Sequence, residues 1–169
     1  MNSQWSYPNT TIYDSIIEAS EKYPNKNAHI FLGKKTNYKQ FFNDINCCAK
    51  ALCSLGLEQG DHVGIVMPNC PQALVMFYAV NAIGCISNTI HPLSSETEIN
   101  YYLKLTDSKL VLTLDVFADK VESSLYETNV ANLIVTSIAD SLGPVKNIAY
   151  KLLPGQNKVK QINKENVFK

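Results

Sequence analysis

From Gly56 to Pro92 the chain reads GLEQGDHVGIVMPNCPQALVMFYAVNAIGCISNTIHP. Gly56 and Gly60-Asp61 are turn chemistry, and His62 to Met67 is a short run rich in Val and Ile. Pro68-Asn69-Cys70-Pro71 interrupts it. Gln72 to Ile83 is almost wholly apolar and too long for a strand, Gly84 stops it, and Cys85 to Ile90 begins a second β-like run. Strand, turn, helix, glycine stop, strand is one βαβ unit. A helix with so little polar face must be covered on more than one side.

Working outward, the same rhythm continues. Ser95-x-x-Glu98 is a capping box, with Ile99, Leu103 and Thr106 expected to face inward. Lys109 to Leu114 reads as a further strand. Asp115 suits the cap of a helix carrying Phe117, Val121 and Leu125, and Asn132 to Thr136 is a fourth strand. The strands start near 62, 85, 109 and 132, steps of 23, 24 and 23 residues. This alternation predicts parallel strands over 62–67, 85–90, 109–114 and 132–136, joined by right-handed helical crossovers, with helices on both faces. No sequence repeat underlies it.

Upstream, Thr11-x-x-Asp14 is a capping box with Asp in place of Glu, opening a helix whose Ile12, Ile16 and Ala19 share a face and which ends at Tyr23-Pro24. A short hairpin follows: strand Ala28–Leu32, turn Gly33-Lys34-Lys35, return Thr36–Tyr38. Between Lys39 and Leu55 the residues Phe41, Ile45, Cys48, Leu52 and Leu55 fall at steps of four and three, an amphipathic helix stopped by Gly56.

These motifs together resemble the N-terminal part of the adenylate-forming enzymes, the acyl-CoA synthetase and AMP-dependent ligase superfamily. The residues carrying the likeness are Tyr38, Ala49, Leu52, Leu55-Gly56-Leu57, Gly60-Asp61-His62-Val63, Met67-Pro68-Asn69-Cys70-Pro71, Ala82-Ile83-Gly84, His91-Pro92-Leu93, Glu98, Tyr102-Leu103 and Thr106-Asp107-Ser108-Lys109. The stretches Leu112–Phe117 and Leu133–Asp140 are similar to the long-chain fatty-acid branch. The likeness covers roughly residues 11–152. Gln72 departs from the pattern, since the family usually carries Glu after Pro-Asn-x-Pro.

Composition sets bounds. A chain of 169 residues, 46% hydrophobic, supports one domain with a substantial core. Formal net charge is zero; all fifteen basic residues are Lys, and the missing planar guanidinium fork argues against specific nucleic-acid recognition. Lys151 to Lys169 holds five of the Lys and one of the acids, a basic tail. Residues 1–152 are read as an α/β subdomain and 153–169 as a polar, basic, partly disordered tail or linker. Just before the tail, Val145, Ile148, Ala149 and Leu152 make a small apolar stripe beside Lys146 and Lys151, suited to packing against the rest of a larger protein or to peripheral membrane contact. The five Cys (47, 48, 53, 70 and 85) are odd in number and form no C-x-x-C pair, which argues against a zinc site and a disulfide framework. Reduced thiols, no secretory signal in M-N-S-Q-W-S and no apolar run of membrane-spanning length together predict a cytoplasmic location.

Chemistry is sought first at the carboxyl ends of parallel strands. Those ends offer Asn69, His91, Asp115 and Ser137. Asn69, stiffly presented between two prolines, and His91, at a strand end before Pro92, are the candidate cleft-rim residues. Asn69 equally suits a turn residue satisfying local amides, and His91 has no partner identifiable from sequence. His29 and His62 lie in strand-like runs and read as structural. Asp115 reads as a helix cap rather than a metal ligand, and Ser137 lacks the G-x-S-x-G context of a nucleophile.

Bringing a carboxylate against the α-phosphate of ATP requires amides, a cation and Mg²⁺ around the triphosphate. In the resembled family a Ser-, Thr- and Gly-rich loop ending in Pro-Lys does that work. None of the seven glycines here opens such a loop, a G-x-x-x-x-G-K or a G-x-G-x-x-G. No catalytic, cofactor-binding or metal residue is therefore assigned. The resemblance implies the opening, structural portion of a longer fatty-acid–CoA ligase, an ATP-dependent acid–thiol ligase using ATP, Mg²⁺ and CoA on a fatty acid. This segment is expected to be inactive alone, with the rest of the ligase chain as its partner and self-association of its exposed apolar surface. The alternative is a free-standing α/β module that binds a small ligand without catalysis.

Overall fold

The computed structural model describes residues 9–142 and 162–163. The apolar stripe at 145–152 and nearly all of the basic tail lie outside the described residues. Helix α1 (Ile12–Lys22) begins at the expected capping box: the Thr11 hydroxyl accepts the Asp14 N–H at 3.1 Å, and the Asp14 carboxylate accepts the Thr11 N–H at 2.6 Å. Ile16 is buried, but Ile12 stays 48% exposed.

Strands β1 (Asn27–Phe31) and β2 (Lys34–Asn37) form the hairpin, paired antiparallel. Its turn is Leu32-Gly33 rather than Gly33-Lys34-Lys35, and both Lys lie in the returning strand. Leu32 and Gly33 both take positive φ, 49° and 88°, which matches the twist of a two-residue hairpin. A leucine in that conformation carries no sequence signal. Helix α2 (Tyr38–Ser54) starts where Asn37 Oδ1 accepts the Gln40 N–H at 2.9 Å. Phe41, Ile45, Ala49 and Leu52 are buried; Leu55, expected to face inward, is 41% exposed because the helix has already ended.

Then comes the sheet: β3 (His62–Val66), α3 (Pro71–Ala82), β4 (Ile86–Ile90), α4 (Glu96–Leu105), β5 (Ser108–Leu114), α5 (Ala118–Ser123) and β6 (Asn132–Thr136). The four expected strands are present and parallel, in the order β4-β3-β5-β6. A short strand β7 (Ile162–Asn163) pairs antiparallel with the start of β6, within the stretch read as tail.

The chain steps from β3 to β4 in one direction, then back across β3 to β5 and on to β6. If every crossover is right-handed, reversing direction moves the helices to the other face. The core divides in that way. Val63, Ile65, Leu110, Leu112 and Leu114 pack with α1, α2 and α3 on one face. Val66, Val111, Leu133 and Val135 pack with α4 and α5 on the other. Alternate residues of β3 and β5 thus enter opposite cores, as the period of two requires. Helix α3 is covered on two sides, by β3 and β4 below and by α1 and α2 beside it. The Tyr13 hydroxyl donates to Asn46 Oδ1 at 2.6 Å and the Tyr13 N–H to Asn81 Oδ1 at 3.1 Å, tying the three helices together.

Candidate functional site

The carboxyl ends of β3 and β5 are adjacent, and their outgoing loops lead to opposite faces, α3 on one and α5 on the other. This is the switch point at which open α/β sheets leave a crevice. After β3, Cys70 caps α3 and Pro71 occupies its first turn, where a missing N–H costs nothing. Asn69 is exposed beside them, while Cys70 is buried. Burial pushes the Cys70 thiol up, against the opposing amides of Ala73 and Gln72. It is a packed thiol, not a poised nucleophile.

After β4, exposed His91 accepts the Leu93 N–H on Nδ1 at 3.2 Å. The loop is also clamped from below: the Lys120 ammonium donates to the Pro92 carbonyl and, at 3.0 Å, to the Ser94 carbonyl. Lys120 therefore spends its charge on a loop rather than presenting it to a ligand. Leu93 at the loop tip is 73% exposed.

After β5, Asp115 opens a 3-10 turn over Asp115–Phe117 instead of capping α5, whose N-cap is Phe117. Its Oδ1 accepts the Val116 N–H at 2.9 Å, and its Oδ2 is buried without a partner. After β6, Ser137 caps a 3-10 turn at Ile138–Ser141 in a capping box with Asp140. These groups stand at the carboxyl end of the sheet, and His91, Asp115 and Ser137 each bond an amide of their own loop. Among the described residues, no three His, Cys, Asp or Glu side chains are grouped to hold a metal ion. Nor is any helix there long and apolar enough to cross a membrane.

A cavity lies elsewhere. It has a volume of about 400 Å³ and opens on the α1–α3 face, between the hairpin, α2, the start of α3 and strands β5 and β6. Its floor is apolar, built by Phe31, Leu52, Val75, Met76, Leu112 and Ile134. Its rim carries His29, Lys34, Asp44, Gln72, Thr136 and Asp140. Asn69, His91 and Asp115 do not line it. No sequence motif marks this hollow, because its walls come from five elements spread over more than a hundred residues. The available signal is indirect: among the described residues, no helix after β6 covers Ile134 and Thr136 on the α1–α3 face.

Gln72 has a physical role in this cavity. Its Nε2 donates to the Ser137 carbonyl at 2.8 Å and joins the start of α3 to the end of β6. A Glu at that position has no donor for the carbonyl. The orientation leaves Gln72 Oε1 buried without a partner, and His29 Nδ1 is in the same condition. His29 stacks edge-on against Phe41, ring centroids 5.3 Å apart. Its loss of hydration holds the imidazole below its ordinary value; Asp44 pulls it up and Lys34 pushes it further down.

The profile of the AMP-binding enzyme family matches residues 16–166. A long-chain-fatty-acid–CoA ligase of Bacillus subtilis is 32% identical over 149 residues, covering 88% of this chain and 27% of that protein. A 4-coumarate–CoA ligase of Solanum tuberosum is 32% identical over 92 residues, covering 54% of this chain and 17% of that protein. Among solved structures, a long-chain-fatty-acid–CoA ligase of Archaeoglobus fulgidus superposes with a TM-score of 0.74 at 21% identity, covering 80% of this chain and 30% of that one. The N-terminal domain of a Mycobacterium tuberculosis protein, FACL13, superposes with a TM-score of 0.71 at 23% identity, covering 77% of this chain and 34% of that domain. The chain thus spans about a quarter of the length of the Bacillus relative.

Proposed function

Since the chain belongs to the AMP-binding enzyme family, we propose that it forms the N-terminal scaffold of a fatty-acid–CoA ligase. In that enzyme a fatty acid is joined to AMP from ATP with Mg²⁺, and the acyl group then passes to the thiol of CoA. This region builds one sheet and its two helical layers. It holds none of the reacting groups; ATP, Mg²⁺, CoA and the fatty acid are handled by other parts of the ligase. Residues 1–152 act as the subdomain and 153–169 as the connecting segment. Asn69 and His91 stand on the rim of the crevice without taking part in the chemistry. The reading places the ligase in the cytoplasm. The single observation that carries it is the family match over residues 16–166.

The test is pyrophosphate release by the purified chain supplied with ATP, Mg²⁺, a long-chain fatty acid and CoA. Background rates are expected. Turnover at an enzyme-like rate of about 1 s⁻¹ or more would overturn the assignment of a scaffold without catalytic groups.

A second reading is favoured by one observation, the cavity of about 400 Å³ with an apolar floor and a polar rim. Its size suits a small organic ligand, so a non-catalytic binding module remains the alternative. Saturable calorimetric heats with fatty acids or aromatic acids, abolished by Val75→Trp in the floor, would favour it. Their absence leaves the scaffold reading.

A further inference from the structure

We propose that the outer edge of β4 is a self-association surface, across which a second copy of this chain continues the sheet antiparallel about Asn88. This goes beyond the ligase assignment and stands on separate observations.

Strand β4 ends the sheet order and pairs with β3 alone among the described residues. An edge strand presents unpaired N–H and C=O groups on its outer side, and proteins usually protect such an edge with Lys, Pro, a bulge or a covering element. Ile86-Ser87-Asn88-Thr89-Ile90 has no charge and no proline. Its register against His62–Val66 is unbroken, so no bulge twists the edge away. Thr89 and Ile86 are exposed on it.

The strand is also nearly a palindrome. Paired with itself antiparallel about Asn88, it sets Ile86 opposite Ile90, Ser87 opposite Thr89, and Asn88 opposite Asn88. Exposed Ile86 comes against Ile90, which is already buried in its own core, and hydroxyl meets hydroxyl, a cross-strand match that stabilises a sheet. A two-fold pairing makes every such contact twice, which is why the occupant is a second copy rather than an unrelated strand.

The flanking surface fits the same partner. Asn88 Nδ2 donates to Thr106 Oγ1 at 2.8 Å, so the end of α4 lies over β4. On that helix Tyr102 and Leu105, three residues apart, are 41% and 66% exposed. Leu103 on the same helix reaches Gly64 and Val111 of the inner strands, so Tyr102 and Leu105 stand beside the pairing edge. Lys104 beside them is engaged by Glu127 at 3.0 Å, so the contact brings no unpaired like charges from that position. By contrast, the apolar cavity is rimmed by Asp44, Asp140 and Lys34.

The experiment is sedimentation velocity of the full chain over a wide concentration range, for the native sequence and for Thr89→Lys. Thr89 is exposed, so the lysine enters the edge without entering the core; circular dichroism checks that the variant is folded. The native chain is expected to reach twice its 18.8 kDa mass. Thr89→Lys is expected to weaken the dimer about tenfold or more, because each substitution acts twice across the axis. Amide exchange supplies the second readout: outward-facing β4 amides should be protected in the dimer and exposed in the variant. A native chain that stays monomeric overturns the proposal. So does a dimer that Thr89→Lys leaves intact, which would place the contact at the cavity or another face. Neither result bears on the pyrophosphate assay.

Discussion

Gly64 lacks a Cβ because Leu103 fills its place: an atom built there would lie 2.8 Å from Leu103 Cδ2 and 3.1 Å from Val111 Cγ2. The contact sets how closely α4 approaches the centre of the sheet, between two residues that are fully buried or nearly so. Gly64→Ala is therefore expected to overpack the α4 face and destabilise the fold by about 1–3 kcal/mol. Urea denaturation measures it. The double variant with Leu103→Ala should cost less than the two single losses added, because the space Leu103 vacates is the space alanine needs. Strict additivity would show that the two positions are not coupled.

Asn100 is buried on α4, and its Nδ2 donates to the Ser124 carbonyl at 2.9 Å and the Tyr126 carbonyl at 2.7 Å. It ties α4 to the turn after α5. Asn100→Ala removes the donor from both carbonyls, and a cost of about 1–3 kcal/mol is expected from the desolvated acceptors. Faster amide exchange should appear in residues 124–130. A variant as stable as the native chain would mean that water replaces the amide.

The hairpin is expected to loosen in mild acid. His29 has its ionisation held below the ordinary imidazole value by lost hydration, against the pull of Asp44. A depressed imidazole favours the neutral folded state. Its contribution to stability is complete above about pH 6.5 and is lost as pH falls through the lower folded value. Asp44 is shifted upward by its own lost hydration, and its effect falls in the more acidic carboxylate range. Melting temperatures at neutral pH and near pH 5 should differ less in His29→Gln than in the native chain. An unchanged difference would remove His29 from the account.

Thiol reactivity should divide the five cysteines into two groups. Cys47 and Cys53 are exposed, whereas burial pushes Cys48 up to about 11 and raises Cys70 and Cys85 as well. Only the thiolate reacts. Brief alkylation of the folded chain, read by mass spectrometry, should label Cys47 and Cys53, with the other three following on unfolding. Rapid labelling of Cys70 would show that the start of α3 opens.

Local order was legible where it depends on neighbours in the chain. The capping boxes at Thr11 and Ser95 form as spaced, since they close within three residues. The rhythm of strands and helices follows from hydrophobic period, and the long apolar α3 correctly demanded cover on two sides. Three local readings differ. The hairpin turns on Leu32, a residue type that does not advertise positive φ. Ile12 and Leu55 continue an apolar stripe past the point where a partner reaches them. Asp115 binds its own neighbour's amide and starts a 3-10 turn, because the chain must bend sharply between β5 and α5.

The amino-acid sequence alone determined the α/β class, the four parallel strands and the family. Each of those rests on periodicity or on residues adjacent in the chain. Only the tertiary structure decided the strand order, the donor role of Gln72, the cavity over β6, the Lys120 clamp and the bare edge of β4. Those depend on which distant segments meet, and pairing across long loops leaves no fixed spacing in the chain for a reader to find.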